Sequence, residues 1–273
     1  MRNLISSKEN TWCIGCGNFG IFAAVRKCIK TLHEEGTPLA DIVMTSGIGC
    51  HGKIFDYLDI SGIYGLHGRA LATAQGVKLA NPNLNVITFG GDGDSLGEGL
   101  EHTLFAAKRN MDITLILHNN GNYGLTTGQA SPLSDFGYKG LSTPFGNVEK
   151  PFNAISLLLE AGASFVARGY SAKIDHLAGI LHQAIRHKGF SFVEVLQPCV
   201  SYNNTYQLYN EHTAFLDALP SDIEHARALA KDHEKQYLGI FHNEARAVYH
   251  ELIAPAIPAM DVSARKRYLT EYQ

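Results

Sequence analysis

The sequence contains no apolar run approaching the roughly 18 to 20 residues that cross a bilayer. Its opening residues, "MRNLISSKENTW", carry no apolar stretch of the kind found in a secretory leader. A cytoplasmic protein without a membrane span is therefore expected. No cluster of lysine and arginine stands out and the formal net charge is −3, so nucleic acid has no electrostatic footprint to bind. Charged residues make up only 18% against 45% hydrophobic, which argues against disorder. Internal repeats and low-complexity segments are absent. Cysteine is sparse and odd in number: Cys13, Cys16, Cys28, Cys50 and Cys199. That is no disulfide scaffold. The close pair in "TWCIGCGN" points instead to metal or redox chemistry, while Cys28, on the apolar face of "IFAAVRKCIKTL", reads as a buried core thiol.

What is present is an alternation of strand and helix over 273 residues. Short apolar segments at 41–46, 85–89, 112–118, 163–168 and 191–196 are separated by helical patterns at 18–32, 68–80, 99–109, 152–161 and 172–187. This alternation predicts an α/β fold with a doubly wound, mostly parallel sheet covered on both faces. Ligands in such sheets gather beyond the carboxyl ends of the strands. After about Tyr202 the pattern changes, and 203–273 is expected to form a helical C-terminal appendage to a domain at 1–202, packing on that domain or on a partner. There "PSDIEHARALAKDHEKQ" carries Ser221 and Glu224 at capping-box spacing ahead of an amphipathic helical pattern, and "ELIAPAIPAM" is too rich in proline for a long helix.

Two glycine-rich turns carry the chemistry. "GGDGDS" follows one predicted strand and "HNNGNYG" the next, so Asp92 and Asn120 should emerge at one sheet edge. A carboxylate, an amide oxygen and a nearby backbone carbonyl offer magnesium hard oxygen ligands. Gly91 and Gly93 would let backbone approach phosphates closely. Each turn alone reads as Asp and Asn stabilising a loop; the order and interval of the pair favour a diphosphate–magnesium site.

The paired turns are similar to the thiamine diphosphate fingerprint. Together with "WCIGCGNFG", "GIGCHGK", "GLHGRALATAQGVKLANPNL", "YGLTTGQASP" and "QPC", they make residues 12–202 resemble the β subunit of 2-oxoacid:ferredoxin oxidoreductases. The resemblance implies a thiamine-diphosphate-binding fold and a [4Fe-4S] cluster on Cys13, Cys16, Cys50 and Cys199. Spacing alone does not choose between iron–sulfur and zinc for four thiolates. The resemblance further implies Mg2+ on Asp92, Asn120 and the backbone oxygen of Asn122. Ile48, Gly49, Cys50, His51, His67, Gly91, Gly93, Gly124 and Leu125 would form the shell around thiamine diphosphate. His67 would donate to a phosphate, and Lys53 would face a substrate carboxylate or the acidic groups of coenzyme A.

The implied reaction is oxidative decarboxylation of a 2-oxoacid, 2-oxoglutarate favoured and pyruvate possible. Coenzyme A would take the acyl group and ferredoxin the electrons. The glutamate that activates the cofactor is expected on a partner α subunit, not at Glu98 or Glu101. Two departures from the family pattern stand out: Ile14 where proline is common within the CxxC, and His51 where serine usually follows the third cysteine.

Other readings remain. A non-catalytic electron-transfer subunit would use the same cluster, and a plain thiamine-dependent decarboxylase would need none. "GIGCHG" also spells a dinucleotide fingerprint, but "KIFDYLDISGIYG" after it does not read as the required long helix.

Overall fold

Apolar strands and amphipathic helices alternate along the chain. In the computed structural model, which describes residues 4–253, they build one eight-stranded sheet. The strands are β1 (Ile42–Ser46), β2 (Ser61–Tyr64), β3 (Asn85–Gly91), β4 (Thr114–Asn119), β5 (Phe165–Tyr170), β6 (Ser191–Leu196), β7 (Thr213–Phe215) and β8 (Gln236–Asn243). Their spatial order is β2-β1-β3-β4-β6-β5-β8-β7. Every neighbouring pair is parallel except β5 with β8. The helices are α1 (Asn18–Glu34), α2 (Ile54–Tyr57), α3 (Ala70–Ala80), α4 (Leu100–Lys108), α5 (Ala154–Glu160), α6 (Ile174–Arg186), α7 (Tyr206–His212), α8 (Ile223–Ala230) and α9 (Tyr249–Ile253).

The two faces explain the sequence pattern. On one, α1 and α6 bury Ile21, Val25, Ile29, Leu177 and Leu181 against Phe89, Ile116 and Val193. On the other, α3, α4, α5 and α8 bury Leu71, Ala106, Ile155, Leu158 and Ala226 against Leu115, Val166 and Phe192. With helices on both sides, β5 and β6 are buried along their whole length. Such strands lose the alternation of a half-buried strand; the apolar runs are broken only by Arg168 and Glu194, which pair with each other at 2.7 Å. Cys28 sits inside the first layer, 1% exposed, as its place on the apolar face of α1 predicts.

All five expected strands are present, with ends shifted by no more than a few residues. From β1 the chain runs outward to β2 and returns on the other side of β1 to form β3, so strand order reverses between β1 and β3. The crevice outside that reversal is where open α/β sheets bind ligands. Register then sets the height of the turns. Ser46 pairs with Phe89, Gly91 with His118, and Asn119 with Leu196, so the loops after β1, β3, β4 and β6 leave the sheet side by side.

The region after Tyr202 supplies α7, α8 and α9 and, beyond expectation, two strands. β8 pairs antiparallel with β5 and carries β7 on its outer edge, extending the central sheet. The helix expected from a Ser221 cap is shorter and starts one residue later. Asp222 is its cap, accepting from His225 N at 2.8 Å, while Ser221 Oγ donates to Asp222. Helix α8 stops at Ala230, and the polar "DHEK" becomes the turn into β8. The prolines of "ELIAPAIPAM" lie outside the described residues. Among the described residues, no helix is long and apolar enough to cross a membrane.

Candidate functional site

A cavity of about 260 Å³ opens where β1, β3 and β4 end. The loop after β1 contributes Ile48, Gly49, Cys50 and His51, and the loop after β3 contributes Gly91, Asp92 and Gly93. Asn120, Asn122, Gly124 and Leu125 follow β4, and His67 comes from the turn before α3. Every residue expected around the cofactor thus lines one cavity.

Asp92 is 2% exposed and its Oδ2 accepts from Ser131 Oγ at 2.5 Å. Burial pushes its carboxyl up to about 6, with the Ser131 bond pulling the other way. None of its hydrogen-bond partners is cationic, so the buried charge favours either protonation or the arrival of a cation. Across from it, Asn122 N donates to Asn120 Oδ1 at 3.1 Å, and Asn122 Nδ2 to the Asn120 carbonyl at 2.9 Å. The second bond fixes the amide orientation, because a carbonyl only accepts. It leaves Asn122 Oδ1 buried without a donor. The Asn122 carbonyl, the oxygen expected to be a metal ligand, already accepts from Gly124 N at 3.0 Å and keeps one lone pair. These oxygens could surround a hard cation. One brace ties the two turns together. The Ser134 hydroxyl accepts from Ser131 N at 2.7 Å and donates to the Gly121 carbonyl at 2.6 Å.

The space left by glycine is used by aromatic rings as well as by ligand. A Cβ on Gly91 would lie 2.7 Å from His51 Nδ1, and one on Gly93 would lie 2.2 Å from Tyr123 Cε1. The two glycines therefore let His51 and Tyr123 close the cavity wall, a role their expected approach to phosphate did not include. A π-helical turn, Asp94–Glu98, follows, a distortion often found at functional sites. It brings Asp94 and Glu98 into the wall. His67 Nδ1 stands 3.1 Å from Glu98 Oε2 and 3.6 Å from Asp94 Oδ1, and His51 Nε2 stands 3.4 Å from Asp94 Oδ2. Tyr123 Oη donates to Glu98 Oε1 at 3.2 Å. Glu101 does not line the cavity.

Sequence reasoning passed over several wall residues, Asp94, His118, Tyr123, Thr126 and Gln197, and weighed Glu98 only as an activating acid it declined. Most lie inside the quoted motifs, so proximity to Asp92 and Asn120 was the available signal. Buried His118 Nδ1 bonds Asn18 Oδ1 at 2.8 Å, and burial holds its imidazole well below the usual range. Its Nε2 has no partner, nor has Gln197 Oε1. Buried polar atoms are normally satisfied, so this wall is complementary to a polar ligand.

A smaller cavity of about 40 Å³ adjoins the first and is lined by Cys13, Cys16, Cys50 and Cys199 together. Cys50, Asn120, Gly124 and Gln197 belong to both walls. The thiols interact electrically. Burial, the Cys199, Cys50 and Cys13 thiols adding to it, pushes Cys16 up to about 11. Burial also raises Cys50, and Lys53 partly offsets this. Trp12 Nε1 donates to the Cys50 carbonyl at 2.6 Å, Ser201 Oγ to Cys13 Sγ at 3.2 Å, and Gln197 Nε2 to Cys16 Sγ at 3.5 Å. Cys199 is held by a two-way backbone bridge to Asn203. Among the described residues, no group of three or more His, Cys, Asp or Glu side chains stands in an arrangement that could hold a single metal ion. Lys53, expected to face substrate, lies in this smaller wall and not in the larger one, its Nζ 3.4 Å from the Thr11 carbonyl.

Comparison with known proteins bears out the resemblance drawn from the motifs. Residues 47–195 match the family described as thiamine pyrophosphate enzyme, C-terminal TPP binding domain. Residues 199–256 match the family that describes the C-terminal part of the pyruvate ferredoxin oxidoreductase β chain. The protein is 45% identical over 269 residues to a 2-oxoacid:ferredoxin oxidoreductase subunit β of Saccharolobus solfataricus, covering 92% of this chain and 87% of that one. It is 42% identical over 191 residues to the 2-oxoglutarate synthase subunit KorB of Archaeoglobus fulgidus, covering 70% of each. A solved 2-oxoglutarate:ferredoxin oxidoreductase from Magnetococcus marinus, with 2-oxoglutarate, coenzyme A and succinyl-CoA bound, superposes with a TM-score of 0.90 at 31% identity, covering 97% of this chain and 94% of that one. Family, cavity and turn chemistry agree, and the chain belongs to the 2-oxoacid:ferredoxin oxidoreductase β subunits, carrying their thiamine diphosphate-binding domain as one subunit of an oxidoreductase complex.

Proposed function

We propose that this β subunit, with an α subunit, oxidatively decarboxylates a 2-oxoacid, 2-oxoglutarate in preference to pyruvate, with coenzyme A as acyl acceptor and ferredoxin as electron acceptor. Thiamine diphosphate and Mg2+ would occupy the larger cavity and a [4Fe-4S] cluster the smaller. The observation that carries this reading is the shared wall of Cys50, Asn120, Gly124 and Gln197. It leaves no intervening layer between a diphosphate site and four thiols. The preference for 2-oxoglutarate rests on the relatives from Archaeoglobus fulgidus and Magnetococcus marinus, whose names carry that substrate.

The residues fit these groups chemically. Buried Asp92 lacks a cationic partner, and the unpartnered Asn122 Oδ1 lies in the same wall. Thiamine diphosphate supplies the carbon nucleophile and the electron sink. Asp92, Asn120 and Asn122 would hold Mg2+ and orient the diphosphate, His67 would donate to a phosphate oxygen, and His51 and Tyr123 would keep water from the wall. Cys13, Cys16, Cys50 and Cys199 would ligate iron as thiolates, releasing protons on binding. Lys53 beside Cys50 would compensate thiolate charge, and a direct role toward a substrate carboxylate or coenzyme A requires the ligand to reach the smaller cavity's rim.

The test is anaerobic coexpression with the cognate α chain, followed by iron and acid-labile sulfide analysis. Acceptor reduction would then be assayed with 2-oxoglutarate and pyruvate in the presence of coenzyme A. Turnover with bound iron and sulfide is expected. Bound cofactors without turnover on any 2-oxoacid would favour a non-catalytic electron-transfer subunit. Release of CO2 without acceptor reduction, and without iron or sulfide, would mean a plain decarboxylase.

A further inference from the structure

The two ends of the Gln197 amide have opposite fates. The residue directly follows β6, its backbone N–H donates to the Asn119 carbonyl at 2.8 Å, and it is 1% exposed. The amide nitrogen is fully used: Nε2 donates to Cys16 Sγ at 3.5 Å and to the Pro198 carbonyl at 3.2 Å. Turning the amide over would set its oxygen against a carbonyl and a sulfur that becomes a thiolate, neither of which can donate, so the orientation is dictated by its surroundings. Oε1 is thereby left buried with no protein donor. The same residue lines both the larger cavity and the cysteine cavity.

We infer that Gln197 is a positioning residue that couples the two cavities, taking a hydrogen bond from the ligand of the larger one on Oε1 and passing its effect to Cys16 through Nε2. This rests on the cofactor and cluster assignments proposed above. An N–H donor on a cluster sulfur stabilises the more negative, reduced state and raises the reduction potential. When the amide oxygen accepts a bond, the amide polarises and its N–H becomes a better donor. Occupancy of the larger cavity by thiamine diphosphate and Mg2+ therefore raises the potential of the cluster. By thermodynamic reciprocity, one-electron reduction of the cluster tightens thiamine diphosphate binding by the same factor.

The experiment uses the assembled α–β complex and follows the reduced-cluster EPR signal against applied potential, with and without thiamine diphosphate and Mg2+. In the unaltered protein the cofactor should shift the one-electron reduction equilibrium about two- to fivefold toward the reduced state, given a modest strengthening of one hydrogen bond. A fivefold shift is about 41 mV at about 59 mV per tenfold. Gln197→Leu keeps the volume and removes both polar ends, so the cofactor-dependent shift should vanish while iron content stays unchanged. Gln197→Asn, too short to reach Cys16, should give the same loss, and serves where the leucine variant fails to assemble. A merely structural role for Gln197 would change stability or iron content but leave the shift intact, and that result would overturn the inference. So would an unaltered protein whose cluster potential ignores thiamine diphosphate. Absence of iron, sulfide and the EPR signal would instead overturn the cluster assignment, and the inference with it.

Discussion

Asn203 Nδ2 donates to the backbone carbonyl of Asn120 at 2.9 Å. Asn203 also forms the two-way backbone bridge with Cys199. One side chain thus ties the strand-end turn of the cofactor cavity to the hairpin that presents the last cysteine. Neutral hydrogen bonds contribute about 0.5–1.5 kcal/mol. Asn203→Ala should therefore weaken thiamine diphosphate binding about three- to tenfold, measured by calorimetry on the assembled complex. Unchanged affinity would mean that the turn holds its shape without this tie.

Asp92 gives a dependence on pH whose sign is defined. Its carboxyl sits near 6 in the fold against 3.8 in the open chain. The folded state therefore prefers the protonated form, and the stability this contributes is present below pH 3.8 and is lost as pH rises through about 6. Metal- and cofactor-free protein should lose up to about 3 kcal/mol of stability across that window from this group. Asp92→Asn should flatten the thermal-melting curve between about pH 4 and about pH 6 and at the same time abolish Mg2+-dependent thiamine diphosphate binding. A variant that still binds the cofactor tightly would remove Asp92 from the metal site.

The five cysteines should divide into two classes. Serine at Cys13, Cys16, Cys50 or Cys199 should remove most of the iron and sulfide and the visible absorbance of the cluster. Cys28 is buried among α1 side chains, with burial pushing its thiol up to about 12. Cys28→Ser should leave iron content unchanged and cost about 1–3 kcal/mol of stability by burying a hydroxyl without a partner. Iron loss from Cys28→Ser alone would contradict this division.

The purified chain alone should not oxidise any 2-oxoacid. Glu98, the most exposed carboxylate of the larger wall, is already engaged by His67 and Tyr123, and Glu101 is outside that wall. Activity should appear on adding the α chain. Turnover by the chain on its own would show that the activating acid lies within it.

Gly124 stands at the junction of both cavities. A Cβ there would lie 3.6 Å from Cys50 Sγ and 3.1 Å from Asn122 Oδ1. Gly124→Ala should therefore lower thiamine diphosphate affinity through the tight Asn122 contact and leave iron content nearly unchanged, since 3.6 Å from Cys50 Sγ is ordinary contact. Both are assayed on one preparation, and iron loss would show that the shared wall transmits the change.

Some of this was readable along the chain because it depends on neighbours in sequence. Apolar runs fall at the strands and 3.6-residue periodicity at α1 and α6, because burial on one or both faces sets those patterns locally. The turn residues around Asp92 and Asn120 were legible for the same reason. Other features were hidden. β8 carries the polar ends Gln236 and Asn243 and gains its place only by pairing with β5. His118 reads as the last residue of a strand, yet its partner is Asn18, at the start of α1. Ser131 looks like loop sequence until it is seen bonded to Asp92.

By itself the sequence determined the alternating architecture, the glycine turns that end β3 and β4, and the supply of thiols, because each is a matter of residue type and local spacing. Only the tertiary structure decided that Cys13, Cys16, Cys50 and Cys199 meet around one cavity and that this cavity shares a wall with the cofactor turns. The physical reason is register. Parallel pairing of β1, β3, β4 and β6 brings their carboxyl ends to one height, so loops far apart in the chain emerge as neighbours, and the segment carrying Cys13 and Cys16 joins them through the Gly17 N–H, which donates to the Pro198 carbonyl at 3.1 Å.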